Sequence, residues 1–247
     1  MFIELSLVGV LVGAMSGFFG IGGGTILIPI LLAIGFDIKT AIGISVIQMV
    51  FTSIFGSYLN YKKGSLKVDD GIFVGLGGFA GGFIGVKLTQ ILPEEVLAYM
   101  FLTILLFSLY RLATSKQYDK STQSKSLNKG VLFSIGLMIG IFSISLGIGG
   151  SIILTPILVG ILHYNIKKAV SAGLFFVVFS SLSGMIGKLI EGHIDFHNAL
   201  IVSVASLIGV SFGIWIKDYI KDTHHKKAIL ILYIISTLIL IKKMFLN

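Results

Sequence analysis

The sequence predicts an all-α polytopic membrane protein, and three observations carry that prediction. The chain is 55% hydrophobic and only 12% charged over 247 residues. Its mean hydropathy is +1.00, and most of its apolar runs are too long for a soluble core. The third observation is an internal repeat: Gly20, Gly22, Gly23 and Pro29 recur as Gly147, Gly149, Gly150 and Pro156, an offset of 127 residues. With one inserted residue the match continues at an offset of 128, where Ala41, Ser53, Gly56, Gly64, Gly81 and Gly85 fall on Ala169, Ser181, Gly184, Gly192, Gly209 and Gly213. Two homologous membrane repeats follow, residues 1–113 and 129–247, joined by a polar linker at 114–128.

Taken in order, the apolar segments of the first half are residues 2–19, 25–35, 40–61, 71–92 and 95–113. Those of the second are 129–146, 152–162, 168–190, 198–216 and 228–246. Each break coincides with charge, proline or the glycine motif. At about 1.5 Å per residue, a helix of roughly 20 residues spans the ~30 Å hydrocarbon layer. The 11-residue pieces at 25–35 and 152–162 do not. No basic region precedes the first run, Glu4 is the only early charge, and the same pattern returns at 130–163. Residues 1–35 are therefore read as part of the mature protein and not as a cleaved signal.

The first two segments of each half either cross once as a broken helix or go in and come back as a hairpin bent at the glycines. A single crossing distributes lysine and arginine 11 to 7 between the faces, with Lys87 left out. The hairpin gives 14 on one face against Lys39, Lys188, Lys242 and Lys243 on the other. The positive-inside rule favours the hairpin. Each half then holds one hairpin and three spans, an odd number, so the halves are expected to be inverted repeats. The basic loops and the linker would be cytoplasmic and both termini outside.

A bend within the membrane leaves backbone N–H groups unpaired, which is tolerated only where protein or a watery cavity satisfies them. Glycine supplies the backbone freedom. The segments restart at Thr25 and Ser151, whose hydroxyls suit N-caps, with Pro29 and Pro156 close behind. Two helix N-termini, each worth roughly half a positive charge, could thus converge, and that suits an anion. The candidate substrate-binding set is Gly20, Gly22, Gly23, Gly24 and Thr25 with Gly147, Gly149, Gly150 and Ser151. Gln48, Thr52 and Ser53, with Ser180, Ser181 and Ser183, are the polar side chains of the following spans and could add donors. The competing readings are close helix packing for the glycines and interhelical hydrogen bonds for the hydroxyls. Packing is the preferred reading for Gly77, Gly81 and Gly85, spaced by four. Lys87 is weighed as an anion ligand against snorkelling to the interface.

Absences narrow the chemistry. No Asp or Glu lies within an expected span, whereas cation and proton-coupled pathways usually contain carboxylates. The net charge of +8 sits at the ends of apolar runs, which fits membrane orientation and not nucleic acid. The chain has no cysteine, so thiol redox chemistry and cysteine metal sites are excluded. His193 and His197 have i, i+4 spacing, but in a loop, and no metal is assigned to them. No nucleophile motif accompanies the serines, so no catalytic residue is named and the chain is not read as an enzyme.

Gly17-Phe-Phe-Gly-Ile-Gly-Gly-Gly-Thr-Ile-Leu-Ile-Pro29, its partner Gly147-Ile-Gly-Gly-Ser-Ile-Ile-Leu-Thr-Pro156, and Ala41-Ile-Gly-Ile-Ser45 together resemble the TauE/SafE family of sulfite exporters. The resemblance covers nearly the whole chain. It implies a bacterial-type plasma-membrane transporter, without a cofactor, for sulfite or related sulfur-containing organic anions, sulfite being the leading candidate. Families of this type are described with seven or eight spans, against six spans and two hairpins here. The partners expected are a small anionic substrate and the lipid bilayer, with a homo-oligomer left open and nucleic acid excluded. The mechanism expected is alternating access around the two hairpin tips; the alternative is a non-transporting membrane scaffold or assembly factor.

Overall fold

Among the described residues ten helices follow the ten apolar segments to within a few residues. The structure, a computed structural model, describes residues 2–66, 69–115, 128–191 and 195–245. Most of the linker, together with Gly192 and His193, lies outside the described residues. The first half contains α1 (Phe2–Phe19), α2 (Gly24–Ile34), α3 (Ile38–Lys62), α4 (Asp69–Ile91) and α5 (Glu94–Thr114). The second contains α6 (Lys129–Ser145), α7 (Ser151–Gly160), α8 (Ile166–Glu191), α9 (Phe196–Tyr219) and α10 (Asp222–Phe245).

The polar breaks act as caps. Asp37 accepts the N–H of Thr40 at 2.9 Å to open α3, Asn128 accepts that of Gly130 at 2.9 Å to open α6, and Asp195 accepts that of Asn198 at 3.1 Å to open α9. Gly35, at φ 108°, closes α2. Pro93 precedes α5, where its missing N–H costs nothing.

Among the described residues seven helices are long and apolar enough to cross a membrane: α1, α3, α4, α5, α8, α9 and α10. This is one more than the six spans expected. The added one is α1, whose 18 residues qualify by length, while its counterpart α6 stops at 17. The short helices α2 and α7, of 11 and 10 residues, cannot cross alone.

The two most extensive interfaces are glycine seams that join one half to the other, α1 on α9 and α4 on α6. Gly9, Gly13 and Gly17 lie against Val202, Ser206 and Val210, and Gly77, Gly81 and Gly85 against Phe133, Leu137 and Ile141. A side-chain carbon at Gly13 or Gly81 would collide with the facing backbone carbonyl, of Ser206 or Leu137. In lipid the hydrophobic effect does not drive helices together, so this close backbone approach is what holds the seam. The packing reading of Gly77, Gly81 and Gly85 is the correct one.

Residue pairings also fix helix direction. Contacts along α1 and α9 rise together in number, and so do those of α3 and α9, from Gly56 on Val210 to Asn60 on Lys217 and Lys63 on Asp218. Helices α1, α3 and α9 therefore run the same way. By the same test α4, α6 and α8 run together, with Gly71 on Phe175, Gly75 on Phe179 and Gly187 on Val86. Helices α3 and α8 oppose each other, since Val46 meets Gly184 while Gly56 meets Leu174. Near its start, at Gly24, α2 lies by Ser45, and a turn later both Ile28 and Ile42 border Gly147, so α2 runs back against α3. The segment from Phe2 to Ile34 thus goes in and returns. Outside the bundle, Ile208, Phe212 and Trp215 of α9 are exposed, as suits an apolar face turned to lipid.

Candidate functional site

The break between α1 and α2 and that between α6 and α7 are built alike. Gly20, Gly22 and Gly23 have φ of 69°, 74° and 100°, and Gly147, Gly149 and Gly150 have 65°, 77° and 77°. Six residues in the left-handed region account for the glycines, since any other residue pays about 1–2 kcal/mol there. The chain is thereby reversed without a run of polar residues.

The two bends meet. A side-chain carbon on Gly22 would lie 2.9 Å from Val177 Cγ1 and 3.3 Å from Met49 Sδ, and one on Gly149 would lie 2.7 Å from Met49 Sδ and 3.2 Å from Val177 Cγ1. Met49 and Val177 correspond under the repeat and sit near the middle of α3 and α8. Ser45, one turn earlier on α3, donates to the Gly147 carbonyl at 2.7 Å and so ties the first half to the second bend. Thr52 Oγ1 donates to the Gly22 carbonyl at 3.3 Å, and its counterpart Ser180 donates to that of Gly149 at 3.4 Å.

The remaining candidates sort by their partners. Gln48 lies against Gly23, its Nε2 donating to Thr52 Oγ1 at 3.4 Å and its Oε1 without a partner. The equivalent place at Gly150 is taken by the Phe176 ring, 2.6 Å from where a side-chain carbon would be. Ser53, Ser181 and Ser183 donate to carbonyls of their own helices, Val50, Val178 and Ser180, and hold no donor out to the bends. Lys87 is exposed and far from any role as a buried ligand. Gly24 abuts the Gly147 carbonyl so closely that no side chain fits there.

The expected N-caps are corrected. Gly23 and Gly150 cap α2 and α7, neither with a side-chain bond, and the hydroxyls of Thr25 and Ser151 are fully buried without a partner. These residues already have helical backbone, so their oxygens cannot reach the N–H groups a cap would satisfy. The prolines also sit deeper than expected, sixth in each helix. They free the carbonyls of Thr25 and Ile152, and the buried Tyr233 hydroxyl reaches that of Ile152 at 3.5 Å. The first N–H groups bonded within α2 and α7 are those of Ile26 and Ile153. The N–H groups ahead of them, of Gly24 and Thr25 and of Ser151 and Ile152, have no partner available in their own helix.

Against known proteins, the model of the sulfite exporter TauE/SafE family matches residues 5–240. The chain belongs to the TauE/SafE family. It is 31% identical to the probable membrane transporter protein YdhB of Bacillus subtilis, over 95% of this chain and 98% of that one. It is 28% identical to a probable membrane transporter protein of Methanocaldococcus jannaschii, over 89% of this chain and 88% of the relative. A further probable membrane transporter protein of Bacillus subtilis, YunE, is 23% identical over 96% and 95%. No solved structure gives a significant match. This TauE/SafE protein is a multi-pass membrane transporter.

Sequence reasoning missed two features of the TauE/SafE chain. Ser45 stood in a segment noted only for its resemblance, and nothing local marks its hydroxyl as the link to Gly147. Lys217 reads as a span-end lysine in the sequence, yet its side chain is 0% exposed. A signal was available there: under the repeat it replaces Thr89, a small residue, in an otherwise matching helix.

Proposed function

We propose that this transporter carries small sulfur-containing anions, sulfite or organosulfonates, across the plasma membrane by alternating access around the two bends. The observation that carries the reading is the meeting of both bends at Met49 and Val177, near the midpoints of α3 and α8. Two unpaired helix N-termini at one buried point favour a negative ligand. The buried, partnerless oxygens of Thr25, Ser151 and Gln48 support a polar ligand in the same place, since such groups are costly to leave unmade. Hydroxyls can turn to donate, and the Gln48 amide can turn to offer its N–H₂.

The helix directions support two inverted halves, with α1, α3 and α9 opposed to α4, α6 and α8. Inverted repeats with broken helices at mid-membrane are a common basis for alternating access. The buried bends then correspond to an occluded state. A negative interior favours anion export by ~2.3 kcal/mol per charge per 100 mV.

Counterflow of radiolabelled sulfite into proteoliposomes, with taurine, thiosulfate and acetate as competitors, tests the reading. Saturable uptake blocked by a sulfur anion and not by acetate is expected. Folded protein without uptake above empty liposomes removes the sulfur-anion assignment.

A further inference from the structure

A second polar constellation lies beside the first bend, at the end of the bundle where α3 and α9 finish and α8 begins. Lys217 Nζ is fully buried and donates to Asn60 Oδ1 at 2.6 Å and to Ser171 Oγ at 3.0 Å. Both partners are neutral. The nearest carboxylate in sequence, Asp218, is held by Lys63 at 2.6 Å, and among the described residues no ion pair compensates Lys217 itself. Asn60 is 1% exposed and its Nδ2 has no hydrogen-bond partner. An uncompensated ammonium beside an orphaned amide N–H₂ is an expensive thing to bury.

Lys217 is also the floor of a cleft of about 300 Å³ lined by Lys63, Lys167, Lys168 and Asp218 with the polar Ser65 and Asn165. Ser65 Oγ bonds to Asn60 Oδ1 at 3.2 Å, tying the amide to the cleft wall. Four lysines and one aspartate line the cleft, and Asp222 pairs with Lys167 at 3.7 Å. A concave site of one charge sign with low-dielectric walls focuses its field on small counter-ions. The floor is next to the candidate transport site, because Ser171 follows Val170, the residue that packs on Gly20 of the first bend.

The repeat provides an internal comparison. In the other half Lys217, Asn60 and Ser171 correspond to Thr89, Lys188 and Gly43. There Thr89 donates to the Ser145 carbonyl at 3.0 Å, and a buried lysine, Lys188, stands in the place of Asn60. The two ends thus carry their buried lysine on different helices, Lys217 on α9 and Lys188 on α8.

We infer that this cleft is an oxyanion-binding vestibule, in which the third N–H of Lys217 takes an oxygen of a small sulfonate or sulfite before it reaches Gly20. The assignment rests on the export reading above for the identity of the anion, and not for the existence of the site. Lys63 and Lys168 draw the anion in, and Lys217 removes its last water.

Isothermal titration of the full-length protein in detergent with methanesulfonate and with sulfite tests it. Lys217→Met is expected to weaken Kd about 10-fold or more, as for loss of a charged hydrogen bond, while Lys227→Gln outside the cleft leaves Kd unchanged. The double variant Lys63→Gln/Lys168→Gln alters exposed side chains only and is expected to weaken Kd about threefold or more, with a shallower salt dependence. An unchanged Kd in the double variant overturns the vestibule whatever Lys217→Met does, and so does the absence of saturable binding to the folded parent. Anionic lipid retained less by the double variant, with Kd unchanged, would make these lysines lipid anchors and also overturn it. Gly150→Leu separates the two proposals: it is expected to stop transport and keep binding. Full transport in that variant, with binding lost in the cleft variants, would retire the bend site and leave the vestibule standing.

Discussion

Met49 Sδ and Val177 Cγ1 each face both glycine bends, Met49 from α3 and Val177 from the equivalent position of α8. One pair of apolar side chains thus separates two helix N-termini that belong to different halves.

Substitution at the bends should therefore stop transport more than it lowers stability. Gly23→Ala and Gly150→Ala add a carbon beside Gln48 and Phe176 in a left-handed backbone, at about 1–2 kcal/mol for the conformation alone. Counterflow is expected to fall at least about 10-fold in each. Gly35→Asn, at a left-handed C-cap with open space around it, should transport like the parent. Equal rates in all three variants would remove the bends from the mechanism.

Ser45 and Ser53 lie two turns apart on α3 but do different things. Ser45→Ala leaves the buried Gly147 carbonyl without its side-chain donor, a loss of about 1–3 kcal/mol. Ser53→Ala removes only a long bond to its own helix, 3.4 Å to Val50, and should be close to neutral. Thermal unfolding in detergent, followed by scanning fluorimetry, is expected to rank them in that order.

The seams should respond as packing. Gly13→Leu and Gly81→Leu face backbone carbonyls of Ser206 and Leu137, and overpacking typically costs about 1–3 kcal/mol or more. The yield of folded protein and its melting temperature should drop in both, while any protein that does fold keeps its apparent affinity for sulfite. A selective loss of affinity at normal stability would mean that the seams belong to the site.

The two bends differ in the side chain that covers them, Gln48 at Gly23 and Phe176 at Gly150. Phe176→Gln makes them alike and is expected to favour sulfite over an organosulfonate such as taurine, whose carbon chain loses its apolar neighbour. Gln48→Leu should act in the opposite sense. Competition in counterflow reads both, with a shift in the inhibition ratio of about 10-fold expected from one or two apolar contacts.

The chain lacks cysteine, so single cysteines report sidedness without a background. Lys168→Cys and Lys63→Cys, at the basic end, should react with a membrane-impermeant maleimide only after cells are opened. Lys39→Cys, at the other end, should react in intact cells. The reverse pattern would invert the assigned orientation.

Sequence alone determined the class, the ten segments and the two bends. The ranges 25–35 and 152–162 became Gly24–Ile34 and Ser151–Gly160, because hydropathy, glycine and proline act on the chain within a turn or two of where they stand. Lysine distribution indicated a hairpin for the same reason: each charge reports the membrane face nearest to it. Local signals went astray by single turns, as with Thr25 and Ser151, whose hydroxyls fall just inside the helices they were expected to cap. What only the tertiary structure decided is which helices meet. The pairing of α1 with α9 and α4 with α6, the contact of both bends through Met49 and Val177, and the burial of Lys217 under Asn60 and Ser171 all join residues more than 45 positions apart. In lipid every helix is apolar, so hydropathy cannot choose among partners. Backbone approach at small residues makes that choice, and it exists only once the helices are packed.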